Sequence, residues 1–393
     1  MYKRRLQSEI VRLATQYPVV TITGPRQSGK TTLCQIAFPD YVYVNLEELS
    51  TREFANQDPK GFLAQYGSKV ILDEIQRAPN LPSYIQPMVD KTDESGQFIL
   101  TGSHQFELSN TINQSLAGRT ALVTLLPLSF SELYDHQSSV PLSEILYSGF
   151  YPRIFNKKLN PTEAMSFYLS TYVERDIRSL INIKDLSVFE KFLKLCATQI
   201  GQLLNYTTLA NDCGVDQKTI KAWLSVLEAS YIIFQIQPHF KHFRKRLTKA
   251  SKLYFHDVGF ACYLLGISHA DHVMSHPMRG LIFENFIISE FLKNRFNHVK
   301  DKNIYFFRDH VGNEVDMILD YGTQLYSVEI KSSSTFHYDF LKGLNYYSKL
   351  AEEKNTKKFL IYTGDARYDT HGVGVYSYKD ITQLFDDINT DES

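Results

Sequence analysis

The spacing of apolar positions changes several times along the chain, and each change predicts a different element. Residues 4–16 set Leu6, Ile10 and Leu13 on one face of a helix. Short, nearly continuous apolar runs follow at Val19 to Ile22, Tyr41 to Leu46, Lys69 to Leu72, Gln97 to Leu100 and Ala121 to Leu126, the last stopped by Pro127. Each run predicts a strand, those at Val19 to Ile22 and Gln97 to Leu100 buried, and the helical stretches between them predict a parallel, doubly wound α/β sheet. Residues 140–186 read as mostly helical, with a turn at Ser148-Gly149-Phe150-Tyr151-Pro152. A short helix then begins at Thr208-Leu209-Ala210, turns at Cys213-Gly214-Val215, and gives way to a second helix from Gln217 to Leu227 capped by Asp216. Farther on, a helix from Arg279 carries Ile288, Phe291 and Leu292 on its apolar side. Strands are predicted after it at Ile304 to Arg308, Glu314 to Leu319 and Leu325 to Lys331.

A chain of 393 residues is long enough for several cores. The pattern divides it into an amino-terminal α/β segment at 1–136, a helical linker or lid at 137–188, a helix-turn-helix segment at 189–258, a mixed α/β segment at 259–385 and an acidic tail at 386–393, expected to be disordered. A formal net charge of −1 gives no global signal for nucleic acid or acidic membranes, so any such binding must come from a local patch. Cys34, Cys196, Cys213 and Cys262 form no C-x-x-C pair, which fits reduced thiols better than a disulfide framework or a zinc site. The N-terminus lacks the apolar centre of a signal peptide, and no apolar run approaches the ~20 residues needed to cross a bilayer. The expectation is a soluble, cytoplasmic protein without a membrane partner.

The strongest chemical signal is Gly24-Pro25-Arg26-Gln27-Ser28-Gly29-Lys30-Thr31-Thr32, a phosphate-binding P-loop placed between a strand and a helix. Gly24 and Gly29 allow the tight turn that lets backbone N–H groups surround phosphate oxygens. Lys30 is suited to neutralise the β- and γ-phosphates, and the Thr31 hydroxyl to ligate Mg²⁺. Arg26, within the loop, either packs or contacts phosphate. Asp73 and Glu74 close an apolar strand about 45 residues on, the pattern in which Asp73 holds Mg²⁺ and Glu74 polarises the attacking water. Ser103, favoured over Thr101, ends the next strand as a candidate γ-phosphate sensor. ATP and Mg²⁺ are therefore the expected ligands.

The loop GPRQSGKTT, VILDEIQRAPN at 70–80, FILTGS at 98–103, AGR at 117–119 and LPLSFSEL at 126–133 together resemble the prokaryotic AAA+ ATPases that carry an uncharacterised C-terminal domain. The resemblance spans nearly the whole chain. It implies an AAA+ P-loop sheet, a helical linker with a winged helix-turn-helix, and a mixed α/β C-terminal domain. It also implies that Arg119, just before the fifth strand, acts as an arginine finger on ATP held by a neighbouring subunit, hence a dimer or ring. A TYVERD motif at 171–176 recurs in the family without an evident mechanism. Arg153, Arg175 and Arg178 are alternatives for a second phosphate sensor.

The helix-turn-helix spacing leaves Gln217, Lys218, Lys221 and Ser225 facing outward, with Trp223 flanking the inner face of Ile220, Leu224 and Leu227. The run from His239 to Lys249, which includes Lys241, Arg244, Lys245 and Arg246, has no acidic residue and sits where a winged helix carries its wing. That patch suits DNA phosphates, and winged helices also serve as protein adaptors. In the last third, Glu284, Asp316, Glu329 and Lys331 resemble the PD-(D/E)xK nuclease fold, to which the family's C-terminal domain has been related. The resemblance implies that Asp316 and Glu329 ligate Mg²⁺, that Glu284 reaches it through water, and that Lys331 orients the nucleophile. Two functions follow: an oligomeric ATPase acting on nucleic acid, with a possible metal-dependent nuclease, or an ATP-binding regulatory switch with a catalytically silent C-terminal scaffold.

Overall fold

The computed structural model describes residues 2–92, 94–103, 115–134, 137–173, 185–239, 250–351 and 356–390. The apolar runs of the first third become five parallel strands: β1 (Val19–Thr23), β2 (Val42–Asn45), β3 (Val70–Asp73), β4 (Phe98–Gly102) and β5 (Thr120–Thr124). Their spatial order is β2-β3-β4-β1-β5. Alternate residues of the buried strands feed two separate cores. Val19, Leu72 and Leu100 pack with Phe62, Leu63, Ile85 and Val89 on one side. Val20, Ile22, Ile71 and Ile99 pack with Leu6, Ile10, Leu13 and Leu33 on the other. All strands are parallel, so the carboxyl ends of β1, β3 and β4 open on one edge, where a doubly wound sheet binds ligands.

Beyond β5 the chain builds a second, eight-stranded sheet in the order β12-β13-β11-β10-β9-β8-β6-β7. Its strands are β6 (Ile233–Pro238), β7 (Lys252–Phe255), β8 (Ile304–Arg308), β9 (Glu314–Asp320), β10 (Leu325–Lys331), β11 (Thr356–Tyr362), β12 (Tyr368–Thr370) and β13 (Val373–Ser377). The expected helix pair is present as Tyr206–Cys213 and Gln217–Ala229, with Gly214 left-handed in the turn and Asp216 accepting from the Thr219 N–H at 2.6 Å. Its hairpin β6–β7 does not stand alone. Gln237 and Pro238 of β6 pair with Tyr305 and Phe306 of β8, so the sheet runs straight across residue 258. One hydrophobic core likewise extends from Leu126 to Ile388 and takes in both segments.

Two other expectations are corrected or given a cause. The tail is not disordered from Asp386: the helix Ile381–Thr390 carries its residues 386–390, and Leu384, Phe385 and Ile388 are buried at helical spacing, while 391–393 lie outside the described residues. The turn at 148–152 exists because Gly149, at φ 63°, lies against the cap of the helix Val258–Leu264. Asp257 accepts there from the N–H groups of Phe260 at 2.8 Å and Phe150 at 2.7 Å, and a Cβ on Gly149 would stand 2.4 Å from Asp257 Oδ1. All four cysteines are buried free thiols. Among the described residues no helix is long and apolar enough to cross a membrane.

Candidate functional site

The P-loop leaves β1 at Thr23 and enters the helix Lys30–Ala37. Gly24 has φ 144°, and a Cβ there would lie 2.1 Å from the Leu125 carbonyl oxygen, so no other residue fits. Gly29, at φ 94°, turns the chain into the helix so that the helix's first N–H groups face the loop. Lys30 is buried and donates to the Gly24 and Pro25 carbonyls at 2.9 Å each. Burial lowers its pKa, and the carboxylates of Glu74 and Asp73 work in the opposite direction. The Ser28 hydroxyl is fully buried and has no hydrogen-bond partner among the described residues.

Asp73 ends β3 and gathers hydroxyl donors. Thr31 Oγ1 donates to its Oδ2 at 2.8 Å, Tyr43 donates to the same oxygen at 2.7 Å, and Thr101 donates to Oδ1. Glu74 is held in the left-handed region at φ 57° and ψ 50°, an uncommon and costly conformation for a residue with a Cβ. Its Oε1 accepts from Ser103 at 2.5 Å, and its Oε2 accepts from Gln76. Burial pushes the Glu74 carboxyl up, but Lys30, Ser103, Gln76 and Arg26 outweigh it and the pKa falls below its ordinary value. The two hydroxyls considered as phosphate sensors are thus both spent on acidic partners, Thr101 on Asp73 and Ser103 on Glu74. Arg26 pairs with Glu47 at 3.5 Å.

Arg4 was not a candidate from sequence, where it reads as one of three consecutive exposed cations. It is 7 % exposed and spans the back of the loop. Its guanidinium donates to Ser28 O at 2.6 Å, Leu126 O at 2.7 Å and Glu132 Oε2 at 3.1 Å. Next to it a cavity of about 280 Å³ opens between the amino-terminal segment and the loop, lined by Tyr2, Gln7, Thr32, Ile36, Pro152 and Asn156 among others. A second, apolar cleft of about 360 Å³ brings Arg153 beside Gln27 of the loop.

Arg119 lies elsewhere. Thr120 pairs with Val19 and Thr124 with Thr23, so Arg119 sits at the far end of β5, roughly 15 Å of strand from its own P-loop. There it forms a two-point pair with Asp90, Nε to Oδ1 at 2.5 Å and Nη2 to Oδ2 at 2.9 Å. Gln217, Lys218 and Lys221 are exposed on one helix, with the Lys221 ammonium 5.4 Å from the Tyr206 ring centre. Lys241, Arg244, Lys245 and Arg246 fall outside the described residues, as do Arg175 and Arg178 and the second half of the TYVERD motif.

The C-terminal group assembles from β9, β10 and the helix Arg279–Asn297. Lys331 Nζ lies 2.5 Å from Glu329 Oε1 and 3.3 Å from Asp316 Oδ2, and the Ile330 N–H also donates to Asp316 at 2.8 Å. Glu284 accepts from Tyr254 at 2.6 Å and pairs with Lys252 at 3.3 Å, while Lys252 reaches Glu314 at 2.6 Å. Burial raises the Glu329 carboxyl to about 8, helped by Asp316 and opposed by Lys331. Burial also raises Glu284, to about 6. Among the described residues no three His, Cys, Asp or Glu side chains are gathered closely enough to hold a metal ion. As folded, the group does not fit a divalent ion: two ammonium groups already lie among its carboxylates. Lys252, Tyr254 and Glu314 were not singled out by sequence, although Glu314 and Asp316 are two apart on a strand and so share its face.

Comparison with known proteins agrees with the first of these sites. Residues 16–134 match the family model described as AAA domain, so the chain carries an AAA-type P-loop domain. Residues 141–271 and 279–381 match two models each described as a domain of unknown function, DUF8612 and DUF4143. Uncharacterized proteins of Mycobacterium bovis and Mycobacterium tuberculosis are each 27% identical over 338 residues, which is 85% of this chain and 74% of theirs. Among solved structures, a Walker-type ATPase of Pyrococcus abyssi aligns over 66% of this chain and 94% of its own, with 14% identity and a TM-score of 0.41. AMPPCP-bound DnaA from Aquifex aeolicus aligns over 57% of this chain and 87% of its own, with 18% identity and a TM-score of 0.31.

Proposed function

We propose that the chain is an Mg²⁺-dependent ATP hydrolase working at the P-loop edge of the first sheet. The observation that carries this reading is the convergence of Thr31, Asp73 and Glu74 beside Lys30 on one strand edge, with Thr31 bonded to Asp73 at 2.8 Å. A hydroxyl and a buried carboxylate in contact are the donor set a hard divalent ion takes with a nucleotide. Thr31 and Asp73 are the residues to hold it, and when bound it supplies charge neutralisation on the phosphates. Lys30 turns its ammonium from the two loop carbonyls to the β- and γ-phosphates. The Glu74 carboxyl, its pKa lowered by Lys30, Ser103 and Gln76, stays ionised at neutral pH, and it accepts a proton from the attacking water. Ser103 and Gln76 hold that carboxylate until a nucleotide draws one of them away. The cavity bounded by Tyr2, Thr32, Ile36 and Pro152 takes the base.

Two finer features belong to this reading. Arg119 completes the site of a second subunit, since its position at the far end of β5 keeps it from its own phosphates, and its exposure leaves it open to a neighbour. The exposed Gln217, Lys218 and Lys221, with the basic run 241–246, contact DNA. The deciding experiment measures steady-state phosphate release by wild type, Lys30→Ala, Glu74→Gln and Arg119→Ala, with and without duplex DNA. Expected are turnover by wild type only and partial rescue when Lys30→Ala and Arg119→Ala subunits are mixed. Turnover surviving Lys30→Ala overturns the site. DNA affinity that has no salt slope removes the nucleic-acid part.

The helix 279–297, strands β8, β9 and β10, helix Lys342–Leu350 and strand β11 follow the α-β-β-β-α-β order that supports the nuclease-like fold. The lysine-filled carboxylate group favours the scaffold form of that domain over a cutting one.

A further inference from the structure

The carboxylates of the C-terminal group number four, Glu284, Glu314, Asp316 and Glu329, and two buried or half-buried ammonium groups lie among them. Lys331 belongs to the same strand as Glu329. Lys252 does not belong to this segment at all: it is the first residue of β7, the hairpin strand that follows the basic run 240–249. It is 2 % exposed, stands between Glu284 and Glu314, and has the Phe306 ring 5.4 Å away. A buried ammonium in that position is stable only because carboxylates surround it. On the other side of the group, Glu329 is 8 % exposed and its Oε2 is buried with no hydrogen-bond partner. Glu329 Oε2 is therefore a buried carboxyl oxygen that neither lysine reaches.

We propose that Lys252 is a resident cation that takes the place of a divalent metal ion in this group, and that the β6–β7 hairpin thereby holds the C-terminal centre closed to metal. The argument is one of charge and space. A single ammonium hydrogen-bonded to Glu314 and paired with Glu284 draws two of the four carboxylates toward itself and away from Asp316 and Glu329. Gly201, at φ 68°, packs against the same carboxylate: a Cβ there would stand 2.9 Å from Leu281 Cδ2 and 3.3 Å from Glu284 Oε1. Removing the ammonium frees Glu284 and Glu314 to face Asp316 and the unpartnered Glu329 oxygen, and that set of oxygens suits a hard divalent ion. This proposal is independent of the ATPase reading.

The test uses the full chain without nucleotide and Mn²⁺ alone as probe, with bound ion counted from the electron paramagnetic resonance signal of the free ion. Each protein is compared with its own Glu329→Gln partner, so that only sites in the C-terminal group are scored and the P-loop is cancelled. In wild type, Glu329→Gln is expected to leave the isotherm unchanged up to about 1 mM Mn²⁺, the weak end of protein sites for hard cations. Lys252→Met is expected to gain one ion, bound at least about tenfold more tightly than that limit, and to lose it again in Lys252→Met/Glu329→Gln. Lys252→Met/Glu314→Gln removes one charge of each sign, keeps a side-chain oxygen at 314, and is expected to gain the ion more weakly if the single variant does not fold. A wild-type site abolished by Glu329→Gln overturns the proposal, as does a folded Lys252 variant that gains no ion.

Discussion

Replacing Arg4 by Met tests whether the P-loop is clamped from behind. The change keeps the length and apolar stem of the side chain and removes its bonds to Ser28 O, Leu126 O and Glu132. Breaking a buried ion pair by removing one partner costs about 3–5 kcal/mol, because the other charge is left behind. Here Glu132 keeps two backbone donors, Ser129 N–H at 2.9 Å and Arg5 N–H at 2.6 Å, which places the cost at the low end of that range. The estimate is about 3 kcal/mol, a large share of the roughly 5–15 kcal/mol that holds a domain together. Urea unfolding of wild type, Arg4→Met, Glu132→Gln and the double variant measures it as a cycle. A coupling between the two residues of about 1–3 kcal/mol is expected. The same variant should bind a fluorescent ATP analogue more weakly, since Ser28 O is no longer held away from the phosphates. Arg4→Met within about 0.5 kcal/mol of wild type, the range of an inert surface change, refutes the clamp.

Glu74→Gln should keep ATP binding and lose about 10²–10⁴-fold in turnover, read by equilibrium binding beside phosphate release. Since the Glu74 pKa is lowered, its ionised form persists as pH falls, and the acid limb of kcat/KM should lie below the ordinary carboxylate value of 4.5. Gly24→Ala should abolish nucleotide binding because its Cβ meets the Leu125 carbonyl oxygen at 2.1 Å, whereas Gly214→Ala, with nothing within 4 Å, should cost only about 1 kcal/mol of backbone strain in a melting experiment. Glu329 has its pKa raised from 4.5 to about 8, so the fold takes up a proton; the stability tied to that proton is complete below the unfolded value and is lost as pH rises through the folded one. Thermal melts across that window should show wild type losing stability with rising pH and Glu329→Gln losing less.

What the sequence makes legible is what depends on near neighbours. The P-loop needs two glycines, a lysine and a hydroxyl at fixed offsets after a strand, and those offsets survive folding unchanged. The buried strands are legible because a parallel sheet covered on both faces tolerates no polar alternation. Ser103 against Thr101 is not legible: both end the same strand, and only the partner strand decides that one meets Glu74 and the other Asp73. Lys252 follows the basic run at 239–249 with nothing in the sequence to set it apart from surface cations, yet pairing with Ile236 turns it inward to carboxylates 32 and 62 residues away. Arg4 is hidden in the same way by Lys3 and Arg5. For the tail, acidic composition was given more weight than the helical spacing of Leu384, Phe385 and Ile388, and the spacing was the better guide because burial, not charge, orders a terminal helix.

LPLSFSEL at 126–133, one of the stretches that carry the family resemblance, acquires a structural role from its two sets of partners. On the loop side, Arg4 binds Leu126 O and Glu132, and Glu132 closes a capping box with Ser129. Facing the C-terminal helix, Lys293 donates to Leu128 O at 3.0 Å and Glu290 accepts from Phe130 N–H at 2.7 Å, both side chains being 1 % exposed. The Lys293 ammonium also lies 3.9 Å from the Phe150 ring centre, and Phe130 meets Phe286 edge-on at 6.0 Å. Hydrogen bonds to charged groups contribute about 1.5–3 kcal/mol each, and leaving such a charge buried and unpaired costs more. A displacement of the loop relative to helix 279–297 must therefore break several of these at once or none. Segment 126–132 is therefore tied at both ends, by Arg4 to the loop at Ser28 and by Lys293 and Glu290 to the C-terminal helix.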